Sequence, residues 1–203
     1  MNVMFGIVRF ASYRMMQWAL TRRHSAVIRL LIKLGTDLNV SCTEGNSYLI
    51  EAVLSGQTES VKALLRGGAD IKAKGESGAS ALICASREGH IDIVNILLDN
   101  GATIEDKDNF SRTPLWFAAA NGQTDVVRAL VSAGADADVN TQQNDGVYAP
   151  GVASREGYVD VVNILLDNGA QIESRDNDGR TSLWFAAANG QTDVVACTCV
   201  CWS

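Results

Sequence analysis

The sequence is short of several things, and each shortage removes a class of protein. Of its 203 residues only Pro114 and Pro150 are proline and only His24 and His90 are histidine. Scarce proline, nearly half apolar residues and no long polar tract exclude a disordered or fibrous chain. His24 and His90 fall at equivalent places after a turn, so a Ser-His or Cys-His pair has no evident source. No phosphate loop, zinc-binding helix or dinucleotide fingerprint occurs either. The apolar start, Met1 to Leu20, is broken by Arg9 and Arg14, so no uninterrupted run of roughly 20 residues is there to cross a bilayer. A signal peptide fits badly, because its basic residue should precede the apolar run and Arg9 follows it.

Acidic residues are missing before Asp37, where Arg9, Arg14, Arg22, Arg23, Arg29 and Lys33 stand. A mitochondrial leader shares that charge pattern, but Val27, Ile28, Leu31, Ile32, Gly35 and Asp37 keep the spacing of the units described below. The segment therefore reads as a divergent first unit. Beyond it 11 basic residues face 23 acidic ones, making the chain a dipole whose acidic body steers a basic partner. Nucleic acid is not expected, since the basic residues occupy one end without a reading motif. The cysteines, Cys42, Cys84, Cys197, Cys199 and Cys201, are odd in number and lack a paired framework. That usage predicts a reducing, cytoplasmic setting, without separating cytoplasm from nucleus. Cys197, Cys199 and Cys201 are soft ligands, but no nearby His or fourth Cys completes a tetrahedral site, so no metal or cofactor is expected.

What the sequence does have is repetition: Ala85 to Val127 is written again, with few changes, as Ala153 to Val195. Gly35, Gly68, Gly101 and Gly134 stand 33 residues apart, and Gly56, Gly89 and Gly122 keep the same step. The step is 35 from Gly122 to Gly157, and Ala135 to Asp138 is the natural place for the two inserted residues. Within one unit, Thr113-Pro114-Leu115 predicts the start of a short helix that stops at Asn121-Gly122. A second helix follows, with Thr124 as its cap, Asp125 in its first turn, and Val126, Val127, Leu130 and Val131 at helical spacing until Gly134. Asp92, Asp125, Asp160 and Asp193 all take that first-turn place, a structural use that explains them without acid-base chemistry. The polar stretch Ile104 to Arg112 reads as a projecting turn.

This pattern resembles the ankyrin repeat, through Thr113-Pro114-Leu115 with Ala118-Ala119, Gly89-His90, Ile93-Val94 with Leu97-Leu98, and Gly134-Ala135-Asp136. The resemblance implies an all-α solenoid of stacked helix-turn-helix units with short hairpin-like loops. Register divides it into a degenerate capping unit at 1–41, units at 42–74, 75–107, 108–142 (with the insertion) and 143–175 (divergent), and an incomplete one at 176–203. The family's His after Thr-Pro-Leu is replaced by Ile50, Ile83, Trp116, Gly151 and Trp184, so apolar packing is expected to stand in for hydrogen bonds between units. Tyr148-Ala149-Pro150-Gly151 is a poor helix start, which predicts that the fifth unit is the weakest link.

The implied function is a non-catalytic scaffold or adaptor that binds another protein through the hairpin tips and the concave side of the first helices. The tips are Glu76, Ser77 and Ala79; Asn109, Phe110 and Arg112; Asn144, Asp145 and Val147; and Asn177, Asp178 and Arg180. The helix positions are Arg87 with Glu88, Asn121, Arg155 with Glu156, and Asn189. Phe110 stands out, since a solvated tip gains nothing from an aromatic ring and interface anchors favour one; the other reading is that the ring folds back over Trp116 or a neighbouring unit. The alternative is a truncated regulatory or targeting part of a larger enzyme or channel. The apolar, Cys-rich end lacks the polar cap a solenoid needs, which points to self-association or to further repeats beyond it.

Overall fold

The computed structural model describes residues 2–42, 45–75, 77–134, 139–171 and 173–200, with side chains within 12–198. These residues form twelve helices and no strand. They are α1 (Asn2–Thr21) and α2 (Ser25–Lys33), α3 (Tyr48–Leu54) and α4 (Thr58–Arg66), α5 (Ala81–Glu88) and α6 (Ile91–Asp99). The second half holds α7 (Pro114–Ala120) and α8 (Thr124–Ser132), α9 (Ala149–Glu156) and α10 (Val159–Asp167), α11 (Ser182–Ala188) and α12 (Thr192–Val200). Odd-numbered helices pack on one another as one row and even-numbered helices as a second, with the core between the rows.

Local chemistry sets the helix bounds. Thr113 caps α7 by accepting the Trp116 N–H at 3.2 Å, and Pro114 occupies the first turn, where its missing N–H costs nothing. Ser47, Ser80 and Thr181 cap α3, α5 and α11 the same way. The second helices differ from the expectation. Gln123, not Thr124, is the cap residue of α8, and it makes no side-chain cap bond; the Thr124 hydroxyl donates back to the Gly122 carbonyl at 3.5 Å. Without that cap, α8 depends on burial of Val126, Val127, Leu130 and Val131, each contributing about 1.5–3 kcal/mol against roughly 1 kcal/mol for a cap. Tertiary packing decides helices this short.

The first unit departs from the others in length, since α1 runs 20 residues where α3, α5, α7, α9 and α11 run 7 or 8. Cys84 is buried, as its register with Phe117 requires. The expected insertion at Ala135 to Asp138 lies outside the described residues.

The fifth unit is not broken at its first helix. Pro150 falls in the first turn of α9, which tolerates it, and the helix continues to Glu156 with Ala149 to Ser154 buried. Tyr148 takes the cap position without capping; its buried hydroxyl donates to the Ser174 carbonyl at 2.6 Å and lies 3.1 Å from Ser182 Oγ. The hydroxyl thus ties α9 to the end of its own unit and, through Ser182, to the next. Gly151 has room for more, because an added Cβ would lie 3.6 Å from Val147 Cγ1 and 3.7 Å from the Phe185 ring. Gly151→Ala is therefore expected to add about 0.5–1 kcal/mol by lowering backbone entropy in the unfolded chain, raising Tm by roughly 1–4 °C. A thermal melt showing a fall would mean that α9 does not form as described.

Candidate protein-binding face

The tips are tied to one another by main-chain bonds. The N–H of Asn109 donates to the Ser77 carbonyl at 3.1 Å, that of Asn144 to Phe110 at 3.2 Å, and that of Asn177 to Asp145 at 3.3 Å. Side chains reinforce the row: Asn177 Nδ2 donates to the Asn144 carbonyl at 3.0 Å, and Ser111 Oγ donates to Asn144 Oδ1 at 2.8 Å. Ser111 stands at φ 64, where the equivalent Gly78, Gly146 and Gly179 are free to turn left-handed. Its bond to Asn144 offsets a conformational cost of about 1–2 kcal/mol.

Two of the tips carry a second fastening. Buried Asp108 accepts the N–H groups of Phe110 and Arg112 on Oδ1, both at 2.9 Å, and the Arg112 guanidinium on Oδ2 at 2.8 and 2.6 Å. Asp176 repeats this with the N–H groups of Asp178 and Arg180 at 3.0 and 2.8 Å and with Arg180 Nε at 2.7 Å. The neutralised Arg112 guanidinium then lies 4.8 Å from the Phe110 ring and 4.7 Å from that of Phe117. Arg180 lies 5.2 Å from both Trp184 and Phe185. These arginines build the hairpin from inside. In the alternate units the same place holds Ala79 and Val147, which are buried and so are not tips: lacking a charged head, each turns into the core.

The remaining sequence-derived positions divide by what their side chains do. Asn121 and Asn189 donate Nδ2 to the carbonyls of Phe117 and Phe185, both at 2.8 Å, and so close the ends of α7 and α11. Arg87 pairs with Glu88 at 2.9 Å and Arg155 with Glu156 at 2.8 Å, in exposed pairs that contribute at most about 1 kcal/mol and can exchange for a partner's charges. Asp145 accepts the Val147 N–H, and Asp178 pairs with Arg180 at 2.7 Å. Ser77 is exposed, and Glu76 lies outside the described residues. Phe110 is 57% exposed, with the Arg112 guanidinium 4.8 Å from its ring.

Sequence reasoning missed a cleft of about 370 Å³ beside α1 and α3, lined by Arg14, Gln17, Trp18, Glu51 and Ser55 among others. The half-exposed Trp18 ring lies 5.1 Å from that of His24. A large aromatic in an apolar helix reads as core, and only the packed structure shows its outward face.

None of this assembles a nucleophile with a base. Burial raises the Cys84 thiol to about 11, and burial together with Glu51 raises that of Cys42 to about 12, so both stay protonated at neutral pH. His90 packs its ring against Gly56 in the preceding unit. No cluster of three or more His, Cys, Asp or Glu is placed to hold a metal among the described residues, and the side chains of Cys199 and Cys201 lie outside them. No described helix is long and apolar enough to cross a membrane.

Two rows of paired helices with tips joined unit to unit define a helical repeat solenoid. The chain belongs to the ankyrin-repeat family: the family model for ankyrin repeats (3 copies) matches residues 11–75, 72–142 and 135–197. Ankyrin repeats are generally protein-protein interaction modules. A comparison with curated proteins gives no match.

The Asp176 carboxyl contributes a pH dependence to stability. Burial opposes its ionisation, but the N–H of Arg180, the guanidinium and the N–H of Asp178 outweigh that and hold it below the usual carboxylate range. A depressed folded-state value contributes stability above the unfolded value of about 3.9, and the contribution is lost as pH falls through the folded value. Asp176→Asn is expected to be less stable than the parent at pH 7, with the gap closing below about pH 4 in urea unfolding followed by circular dichroism. A gap independent of pH would show that the carboxylate's charge is not what fastens the hairpin.

Proposed function

We propose that the chain is a non-catalytic scaffold or adaptor that captures another protein on its hairpin tips and the exposed side of its first-helix row. The observation that carries this reading is Phe110. A ring 57% exposed at a tip whose backbone is bonded on both sides, at Asn109 and at its own carbonyl, gains nothing from water and is held ready for a partner. Arg87, Glu88, Arg155, Glu156, Ser77, Asp145 and Asp178 supply polar contacts along the same side, while Asn109, Asn144, Asn177, Asn121, Asn189, Arg112 and Arg180 hold the surface in shape. A face that is already ordered loses little entropy on docking. Buried, free Cys42 and Cys84 fit a reducing compartment, and we place the protein in the cytoplasm.

The test separates the ring from the fold. Asp145 and Asp178 occupy the position of Phe110 in the next two units, so Phe110→Asp puts at the fourth tip a side chain the hairpin already accepts. Arg112 is left alone because its guanidinium neutralises buried Asp108. Affinity capture from lysate with parent and variant, read by mass spectrometry, is expected to lose a specific partner at unchanged Tm. A partner retained equally by both, or a variant of lowered Tm, would show that Phe110 serves the fold and not the interface.

A further inference from the structure

The even-numbered helices, on the opposite side from the tips, differ in charge along the chain. The outward places are Ala26, Arg29 and Lys33 on α2, and Glu59, Lys62 and Arg66 on α4. The same register then gives Asp92, Asn95 and Asp99 on α6, and Asp160, Asn163 and Asp167 on α10. Ala26 also replaces the first-turn acid that every other second helix carries. Between α2 and α4 lies a groove of about 430 Å³, whose floor is aliphatic through Leu30, Ile32 and Ala63 and whose walls hold Arg29, Lys33 and Arg66. Leu30 is 56% exposed, and Leu34 at the end of α2 is 73% exposed.

These cations are unspent. Among the described residues none of Arg29, Lys33 and Arg66 forms an ion pair; Arg29 makes one 3.4 Å bond, to Ser25 Oγ. Glu59, the one carboxylate of the lining, is bonded to Lys62 at 3.0 Å. Lys62 holds its carboxyl below the usual range, with smaller help from Arg29 and Arg66, which marks the local field as positive. The neighbouring groove between α4 and α6 is smaller, about 200 Å³, and Asp99 sits opposite Arg66 there.

We propose that the groove between α2 and α4 is a second docking site, which takes an acidic amphipathic helix of a partner protein. An aliphatic floor between basic walls fits a helix whose apolar stripe recurs at i, i+3, i+4 and i+7 and whose flanks are Glu or Asp. The floor supplies burial, and the walls supply orientation and on-rate. The acidic outer places of α6 and α10 repel such a helix, and α8, with Asp125, Arg128 and Ser132 at those places, offers no basic cluster, so it is confined to this end.

Fluorescence anisotropy tests the site with a labelled synthetic peptide of about 18 residues, bearing Leu at that helical spacing and Glu elsewhere. The same peptide with Lys for Glu is the control. The acidic peptide is expected to bind the parent at least about tenfold more tightly than the control, and to weaken as salt rises. Leu30→Glu with Lys33→Glu, both at exposed positions, is expected to weaken it at least about tenfold without moving Tm, and Arg66→Glu alone to weaken it less. Phe110→Asp should leave this binding unchanged, which separates the groove from the proposed tip interface.

Absence of binding, equal binding of the two peptides, or equal binding by parent and groove variant would each overturn the proposal. So would two other results: a parent dimer in sedimentation that the groove variant abolishes, which would make the occupant a second copy, or loss of co-sedimentation with phosphatidylserine vesicles in that variant without peptide binding, which would make it a lipid surface.

Discussion

Everything in the structure depends on the joint between one unit and the next, because two short helices cannot cover their own apolar faces. The joint is made at close range. Gly89 and Gly157 end α5 and α9 in the left-handed conformation, and a Cβ on either would collide with Gln123 or Gln191 of the following unit. Those glutamines donate Nε2 to the carbonyls of Arg87 and Arg155 at 3.4 and 3.3 Å, and Gln57 donates to Leu20 at 2.7 Å. Each bond satisfies a helix-end carbonyl that the helix itself leaves open. In the alternate units a ring replaces the amide: His90 packs on Gly56 and Tyr158 on Gly122. Amide and ring thus alternate along the stack.

The same coupling explains how the protein presents a surface. Tips held by their neighbours' carbonyls, by Asp108 with Arg112 and by Asp176 with Arg180 are scaffolding before they are contacts. Asparagine and arginine, read from sequence as polar tip residues, are in large part consumed by that work. Phe110 and the exposed Arg-Glu pairs are left for the proposed interface. On the opposite side the outward residues of the second helices differ in charge from unit to unit.

Much of this was legible in the sequence, for identifiable reasons. Glycine marks repeat because backbone geometry repeats, so the period, the helix pairs and the ends of α7 at Thr113 and Asn121 could be read directly. Other features required partners distant in sequence. The fifth unit was expected to be the weakest link on local propensity; α9 forms there with Pro150 in its first turn and Ala149 to Ser154 buried. Tyr148 was read only as part of a poor helix start, and its hydroxyl bonds to Ser174, 26 residues on. Whether Arg112 faced a partner or Asp108 could not be read from spacing, since both lie on one short hairpin. The basic groove was visible as an excess of charge before Asp37, but its second wall, Arg66, comes from the next unit.

Native-state hydrogen exchange addresses the joint most directly. If neighbouring units hold the tips in place, the amides of Asn109, Asn144 and Asn177 should exchange as slowly as helical amides of α7 and α9, in one cooperative opening. Fast exchange at these amides, at the rate of an exposed loop while the helices stay protected, would contradict the claim that the binding surface is ordered before it meets a partner.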